Sequence, residues 1–321
     1  MALITYKRKK LKEAEDFGFG TKITGKSYRL MEKNGQYNVK TIGRKGWTLY
    51  QDLVEMSWPR FFGVVFLFFV LVNSLFALSL LLTGMECLSG VEDKGIFLNF
   101  LQAWFFSVQT LTTVGYGSVS PICISSNLVA SLNALTGLLT FALVTGLFFA
   151  RFSKPIAQFI FSKNAIIAPY KDGTGLMFRL ANRRDNQVIN MEAKVLMSWI
   201  VDDEKEGRKR KFSQLELEID KVVMLPLSWT VVHPITEKSP LFNLHKKELE
   251  EREVEIIIQI HGYDETYSQQ VFANQSYVAE ELLCGYKFKL MYYPGNDGKT
   301  ILDLEMIDGF EKVGELYQNL N

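Results

Sequence analysis

The stretch FLNFLQAWFFSVQTLTTVGYGSVSP, residues 97–121, decides the architecture. Its first part, Phe97 to Thr112, is apolar and uninterrupted enough for a short helix, and it runs into a glycine-bearing turn at Gly115 and Gly117. The stretch sits inside a longer desert, because no Asp, Glu, Lys, Arg or His occurs between Lys94 and Arg151. That length exceeds one helix, so a second helix follows the turn, from about Ser125 to Phe152. Upstream, Phe61 to Met85 reads FFGVVFLFFVLVNSLFALSLLLTGM without a charge, longer than the roughly 20 apolar residues that cross a bilayer core. It begins too far into the chain, and is too long, for a cleaved secretory signal.

Charge is distributed to match. Lys and Arg total 36 against 35 Asp and Glu, a net +1 that argues against a nucleic-acid partner. Residues 1–60 nevertheless carry +7, residues 61–150 carry −2 and residues 151–321 carry −4. Arg44, Lys45 and Arg60 precede the first long helix, and Arg151, Lys154 and Lys163 follow the second, so the positive-inside rule predicts cytoplasmic termini. Residues 86–124 then lie on the outer side, where Phe97 to Thr112 is too apolar for a loop. The segment must dip back into the membrane. Irregular backbone is tolerated at that depth only where protein buries it or it lines a watery path, so the turn belongs to a pore.

The turn reads Thr113, Val114, Gly115, Tyr116, Gly117. The pentapeptide TVGYG resembles the signature of potassium-channel filters. The physics still constrains it: carbonyl oxygens replace the hydration shell of K⁺, and Gly115 and Gly117 adopt the required backbone without a Cβ penalty. The reading places K⁺ at Thr113, Val114, Gly115 and Tyr116, with Tyr116 directed away from the axis toward Trp104 and Phe105. One filter segment per chain requires four copies around an axis, a homotetramer. No span carries the repeated arginines of a voltage sensor.

From Leu176 onward short alternating runs appear: LMFRLANRR, EAKVLMSWIV, EREVEIIIQIHGY, YKFKLMYY and KTILDLEMI. Turn residues separate them, predicting an antiparallel β-sandwich of immunoglobulin-like type. No GxGxxG, phosphate loop or Ser/His/Asp constellation supports an enzyme, and no cofactor is implied beyond K⁺ as the permeant ion. His233, His245 and His261 read as structural. Cys87, Cys123 and Cys284 form no CxxC or zinc pattern; Cys87 and Cys123 flank the pore, and sequence leaves their pairing open.

These features together resemble the inward-rectifier-type potassium channels of bacteria. The resemblance rests on LMFRLANRR (176–184), LSWTVVHPITEKSPLF (227–242), IIIQIHGYDETYSQQVFANQSYVAEELLCGYKF (256–288), ARFSKP (150–155) and EKNGQYNVKTIGRKGW (32–47). It implies a tetramer with a cytoplasmic β-rich vestibule, set in the cell (inner) membrane and gated by lipid or ligand. The chain then divides into a cytoplasmic N-terminal segment with one strand (1–46), an interfacial helix (47–58), a transmembrane pore domain (59–155) and the β-sandwich (156–321). In WTLYQDLVEMSW, Trp47, Tyr50, Val54 and Trp58 share an apolar side opposite Thr48, Gln51, Asp52 and Glu55, as in a helix lying at a membrane surface.

On the inner helix Asn133, Gly137, Phe141, Thr145 and Phe149 recur every fourth residue, and they are read as pore-facing. The resemblance marks Phe141 and Phe149 as lining or gating positions, and Gly137 and Gly146 as candidate hinges. The alternative for the glycines is close helix packing. Phe141 stands where strongly rectifying relatives place an acid, and Arg208 and Lys289 align with acidic vestibule positions, so weak rectification is expected. Arg44, Lys45, Arg60, Arg151 and Lys154 are candidates for an anionic lipid headgroup. Two rival readings remain at this level: a membrane receptor or assembly protein with a vestigial pore, and a poorly selective cation pore.

Overall fold

A computed structural model describes residues 18–20, 29–43, 46, 48–154, 158–203 and 207–313. The chain forms two compact units, Gly43–Lys154 and Met1–Ile42 with Pro155–Asn321.

The helical unit contains α1 (Leu49–Glu55), α2 (Trp58–Thr83), α3 (Ile96–Leu111) and α4 (Ile124–Phe152). Pro59 occupies the first turn of α2, where its missing N–H costs nothing, and Gly84 ends that helix at φ 93°. Two of the helices, α2 and α4, are long and apolar enough to cross a membrane. Along α2, Ala77 and Leu80 are buried against Ala103 and Phe106 of α3, whereas Leu71, Leu75 and Leu82 stay exposed, as suits a lipid-facing side. Between α2 and α4, β1 (Leu88–Ser89) pairs with β2 (Ser120–Pro121). Cys87 and Cys123 form a disulfide beside this ladder, Cα to Cα 5.0 Å, answering what the sequence left open.

The second unit is a sandwich of two five-stranded sheets. Its strands are β3 (Phe159–Phe161), β4 (Ala165–Tyr170), β5 (Gly173–Asn182), β6 (Val188–Asp203), β7 (Gly207–Leu215), β8 (Lys221–Met224), β9 (Ser228–Ile235), β10 (Glu255–Asp264), β11 (Gln269–Val278) and β12 (Leu282–Cys284). One sheet runs β11-β10-β6-β7 with β8 on β6; the other runs β12-β4-β5-β3 with β9 on β5. All these pairs are antiparallel except β12 with β4. Alternate residues Leu176, Phe178 and Leu180 of β5 meet Ile256, Ile258 and Ile260 of β10 in one buried core, the period-2 burial of facing sheets. His233 is buried and held by Glu216 O at 2.6 Å and Ser239 Oγ at 2.8 Å; burial lowers its pKa, which favours the neutral ring.

Three sequence expectations are corrected here. YKFKLMYY is not one strand but β13 (Tyr286–Phe288) and β14 (Tyr292–Pro294), because Met291 turns inward to pack with Ala181 and Ile307. Likewise KTILDLEMI holds only β15 (Thr300–Leu302), followed by a 3₁₀ turn (Leu304–Asp308) whose second N–H, that of Glu305, donates to the Asp303 carboxylate. The last strand, β16 (Phe310–Lys312), pairs with β13. The strand expected within 1–46 is, among the described residues, a tight turn closed by a single bridge between Met31 and Tyr37. Gly35 turns it at φ 79°, and a Cβ there would meet Asn274 O at 2.4 Å. The buried Glu255 carboxylate accepts the Leu30 and Met31 N–H groups at 2.8 and 3.2 Å, and Arg29 pairs with Glu281 at 3.1 Å. Side chains therefore take the place of a sheet ladder in tying this segment down.

Candidate functional site

The TVGYG loop hangs from the end of α3. Two of its N–H groups, Val114 and Gly115, donate to the Gln109 carbonyl at 2.9 and 3.2 Å, and Thr113 N–H donates to Thr110 O at 3.1 Å. These satisfy orphan carbonyls in the last turn of α3 and fix where the loop begins. Within the loop φ is positive at every second residue: Thr113 59°, Gly115 50° and Gly117 81°. In an ordinary strand successive carbonyls point to opposite sides. Alternating the sign of φ instead turns successive peptide dipoles toward one side, a geometry suited to binding an ion. Two of the three positions are glycine, for which positive φ is free; the β-branched Thr113 is strained there by about 1–3 kcal/mol. Thr113 Oγ1 donates to Thr112 O at 2.7 Å, which leaves its lone pairs available to a cation. Trp104 and Phe105 pack edge to face at 5.4 Å on α3, and Tyr116 is 78% exposed within the single chain.

Inner helix α4 does not present the expected row as one face. Phe141 and Phe149 are exposed at 73% and 74%, and Thr145 is exposed between them. Asn133, read as pore-facing, is instead completely buried within the chain. Its Nδ2 donates to Ser107 O at 3.1 Å and Ser107 Oγ at 3.0 Å on α3. Gly137, a hinge candidate with close helix packing as the alternative, packs against α3 as well: a Cβ there would lie 2.0 Å from Leu111 O. The reason is helical drift. At 3.6 residues per turn each four-residue step advances about 40°, so Asn133 and Phe149 are about 160° apart. Gly146 has open space where a Cβ would stand, and α4 runs unbroken through both glycines.

Comparison with known proteins gives the family. Residues 65–154 match the ion channel family model, and residues 159–318 match the inward rectifier potassium channel C-terminal domain. The chain is 32% identical over 289 residues to inward rectifier potassium channel Kirbac3.1 of Paramagnetospirillum magnetotacticum, covering 89% of this chain and 96% of that one. The chain belongs to the inward-rectifier potassium channel family. Vertebrate members are more distant: ATP-sensitive inward rectifier potassium channel 12 of Gallus gallus and G protein-activated inward rectifier potassium channel 4 of Mus musculus are each 27% identical. Those matches cover 81% of this chain and 66% and 67% of theirs. It is thus a bacterial-type inward-rectifier K⁺ channel, with a helical membrane pore and an immunoglobulin-like cytoplasmic β-sandwich. The receptor reading with a vestigial pore falls away.

In this channel two of the five lipid candidates are already engaged. Arg151, at the end of α4, donates to the carbonyls of Leu53, Val54 and Met56 around the end of α1, and its guanidinium lies 4.4 Å from the Trp58 ring and 4.5 Å from the Phe61 ring. Phe148 packs behind these two rings, 5.3 Å from Phe61 and 6.0 Å from Trp58. Lys154 pairs with Glu55 at 3.1 Å, and this bond lowers the Glu55 pKa. Arg60 is exposed, and no hydrogen bond or ion pair to another described residue is found for it. Arg44, Lys45 and also Trp47 lie outside the described residues. Sequence reasoning missed the Arg151–α1 contact because nearly a hundred residues separate the partners. It also missed Asn73 and Ser107, although a lone Asn in a charge-free span was a visible signal of interhelical hydrogen bonding.

Proposed function

We propose that four copies of the chain close a K⁺-selective pore whose filter is Thr113 to Gly117, with K⁺ held by the carbonyls of Thr113, Val114, Gly115 and Tyr116. The alternating sign of φ along this loop carries the reading, since it aligns carbonyls as a dehydrating row requires. Purified protein in K⁺-loaded liposomes is expected to take up ⁸⁶Rb⁺, driven passively by the K⁺ gradient, to exclude Na⁺ and to be blocked by Ba²⁺. Equal Na⁺ and K⁺ permeability sinks the assignment and favours a poorly selective cation pore. The protein resides in the inner membrane with both termini cytoplasmic. Besides the charge asymmetry, the Cys87–Cys123 disulfide supports this topology, because disulfides persist on the oxidising side of a membrane.

The closed gate is an apolar constriction at Phe141 and Phe149, with Thr145 between them; α4 swings below its Gly137 contact with α3, and Gly146 adds a bend within that arm. Anionic headgroups bind at Arg44, Lys45 and Arg60, whereas Arg151 and Lys154 clamp α1 to α4. Arg151→Lys separates these roles, since lysine keeps the charge but a single ammonium cannot replace the fork that serves three carbonyls. Basal flux is expected to rise roughly tenfold, the scale of one charge-assisted hydrogen bond, with lipid sensitivity retained. Wild-type flux in Arg151→Lys refutes the clamp.

Rectification is weak. Polyvalent cations are held by carboxylates near the axis, where low-dielectric walls focus the field. Residues 125–152 contain none. Arg208 pairs with Glu253 at 2.7 Å, which raises its pKa and keeps it cationic, and Lys289 is exposed. Spermine is expected to block wild type weakly and Phe141→Asp more strongly. Steep micromolar block of wild type contradicts the reading, and no gain in Phe141→Asp contradicts the pore-facing placement of Phe141.

A further inference from the structure

Three helices of the membrane unit meet at one fully buried polar knot. Ser107 Oγ on α3 donates to Asn73 Oδ1 on α2 at 2.9 Å and accepts from Asn133 Nδ2 on α4 at 3.0 Å, while Asn73 Nδ2 donates to its own helix at Phe69 O, 2.8 Å. All three side chains have no exposed surface. Nothing in the helical fold itself demands this, because the surrounding contacts of Ala77, Leu80, Ala103 and Phe106 are apolar. Polar groups in such a setting are costly unless paired, and Asn133 Oδ1 is buried without a partner. The arrangement is therefore retained at some expense to stability.

The position of the knot gives it a use. Ser107 precedes by two residues the Gln109 carbonyl from which Val114 and Gly115 hang. One turn further along both helices, Gly137 brings α4 onto the Leu111 carbonyl. Rotation or sliding of α3 would move the Gln109 carbonyl and with it the filter carbonyls, whose spacing must hold to about 0.5 Å for a site to function as built. Apolar packing alone resists such sliding weakly in a membrane, where lipid is as apolar as leucine and offers no hydrophobic driving force between helices.

We infer that Asn73, Ser107 and Asn133 are positioning residues for ion selection: the knot sets the register of α3 against α2 and α4 and so fixes the filter. The inference rests on the filter assignment above, and the K⁺ over Na⁺ preference of wild type tests that assignment by itself. The test compares Ser107→Ala, which removes the shared hydroxyl, with Ser107→Thr, which keeps one, and with Asn133→Leu, close in shape to asparagine. Each is purified, checked for tetramer by native mass spectrometry, and assayed in liposomes for the ratio of K⁺ to Na⁺ permeability and for the K⁺ concentration that protects the tetramer from heat. In Ser107→Ala and Asn133→Leu the permeability ratio should fall about three- to tenfold, the scale of one interhelical hydrogen bond in a membrane protein, and more K⁺ should be needed for protection. Ser107→Thr should restore both. Tetramers that lose heat stability or total flux while keeping the wild-type ratio and K⁺ dependence overturn the inference. So does failure of both substitutions to assemble, because the knot is then a folding requirement and not a filter support.

Discussion

Phe149→Ala is expected to raise basal ⁸⁶Rb⁺ flux at least tenfold. The ring is 74% exposed in the single chain and sits three residues from the end of α4, where four copies converge in the proposed pore. A ring of aromatic side chains on a narrow axis expels water, and ions do not cross a dewetted gap. Shortening the side chain also removes the burial that holds the closed state together. Burying one phenylalanine contributes about 1.5–3 kcal/mol, more than the 1.4 kcal/mol that corresponds to tenfold. Phe141→Ala should act in the same direction, and the double variant should exceed either. Unchanged open probability in all three moves the barrier elsewhere, to the filter or to the β-sandwich.

The opposite outcome is expected from Gly137→Ala. An added Cβ would stand 2.0 Å from the Leu111 carbonyl, a distance that backbone atoms cannot accept without moving α3 or α4. Overpacking of this kind costs about 1–3 kcal/mol, here at the helix from which the filter hangs. Rb⁺ flux should fall about tenfold or more and the tetramer should dissociate at lower temperature. Gly146→Ala, with open space around it, should assemble and retain selectivity. If both alanines behave alike, Gly137 is not a packing contact.

Much of the membrane unit could be read in advance because its signals are local. An uncharged run of 25 residues, a re-entrant apolar segment and a five-residue motif each lie within one window of sequence. The alternation of β5, β6 and β10 was legible for the same reason. What escaped was set by pairs distant in sequence or by small angular errors. The row from Asn133 to Phe149 looked like one face because each step is nearly a full turn, and only the accumulated drift separates its ends. Arg151 and Lys154 looked like headgroup ligands, since their partners around α1 are 95 to 99 residues away. Positive charge at a membrane edge fits a headgroup and a helix terminus equally well, and only geometry tells them apart. In the β unit, YKFKLMYY alternated correctly yet broke at Met291, where packing against Ala181 outweighed strand continuity.

The contact of Gly137 with Leu111 also turns the lower part of α4 into a lever. Above this point the helix is pressed against the backbone of α3, so its freedom to swing begins below it. Twelve residues at 1.5 Å each place Phe149 about 18 Å down the arm, and a tilt of about 10° there carries the ring about 3 Å sideways. Four arms moving outward together would widen the passage by about 6 Å, while the fulcrum beside the filter barely shifts. An aperture can thus open at one end of the helix without loosening the ion-selecting end.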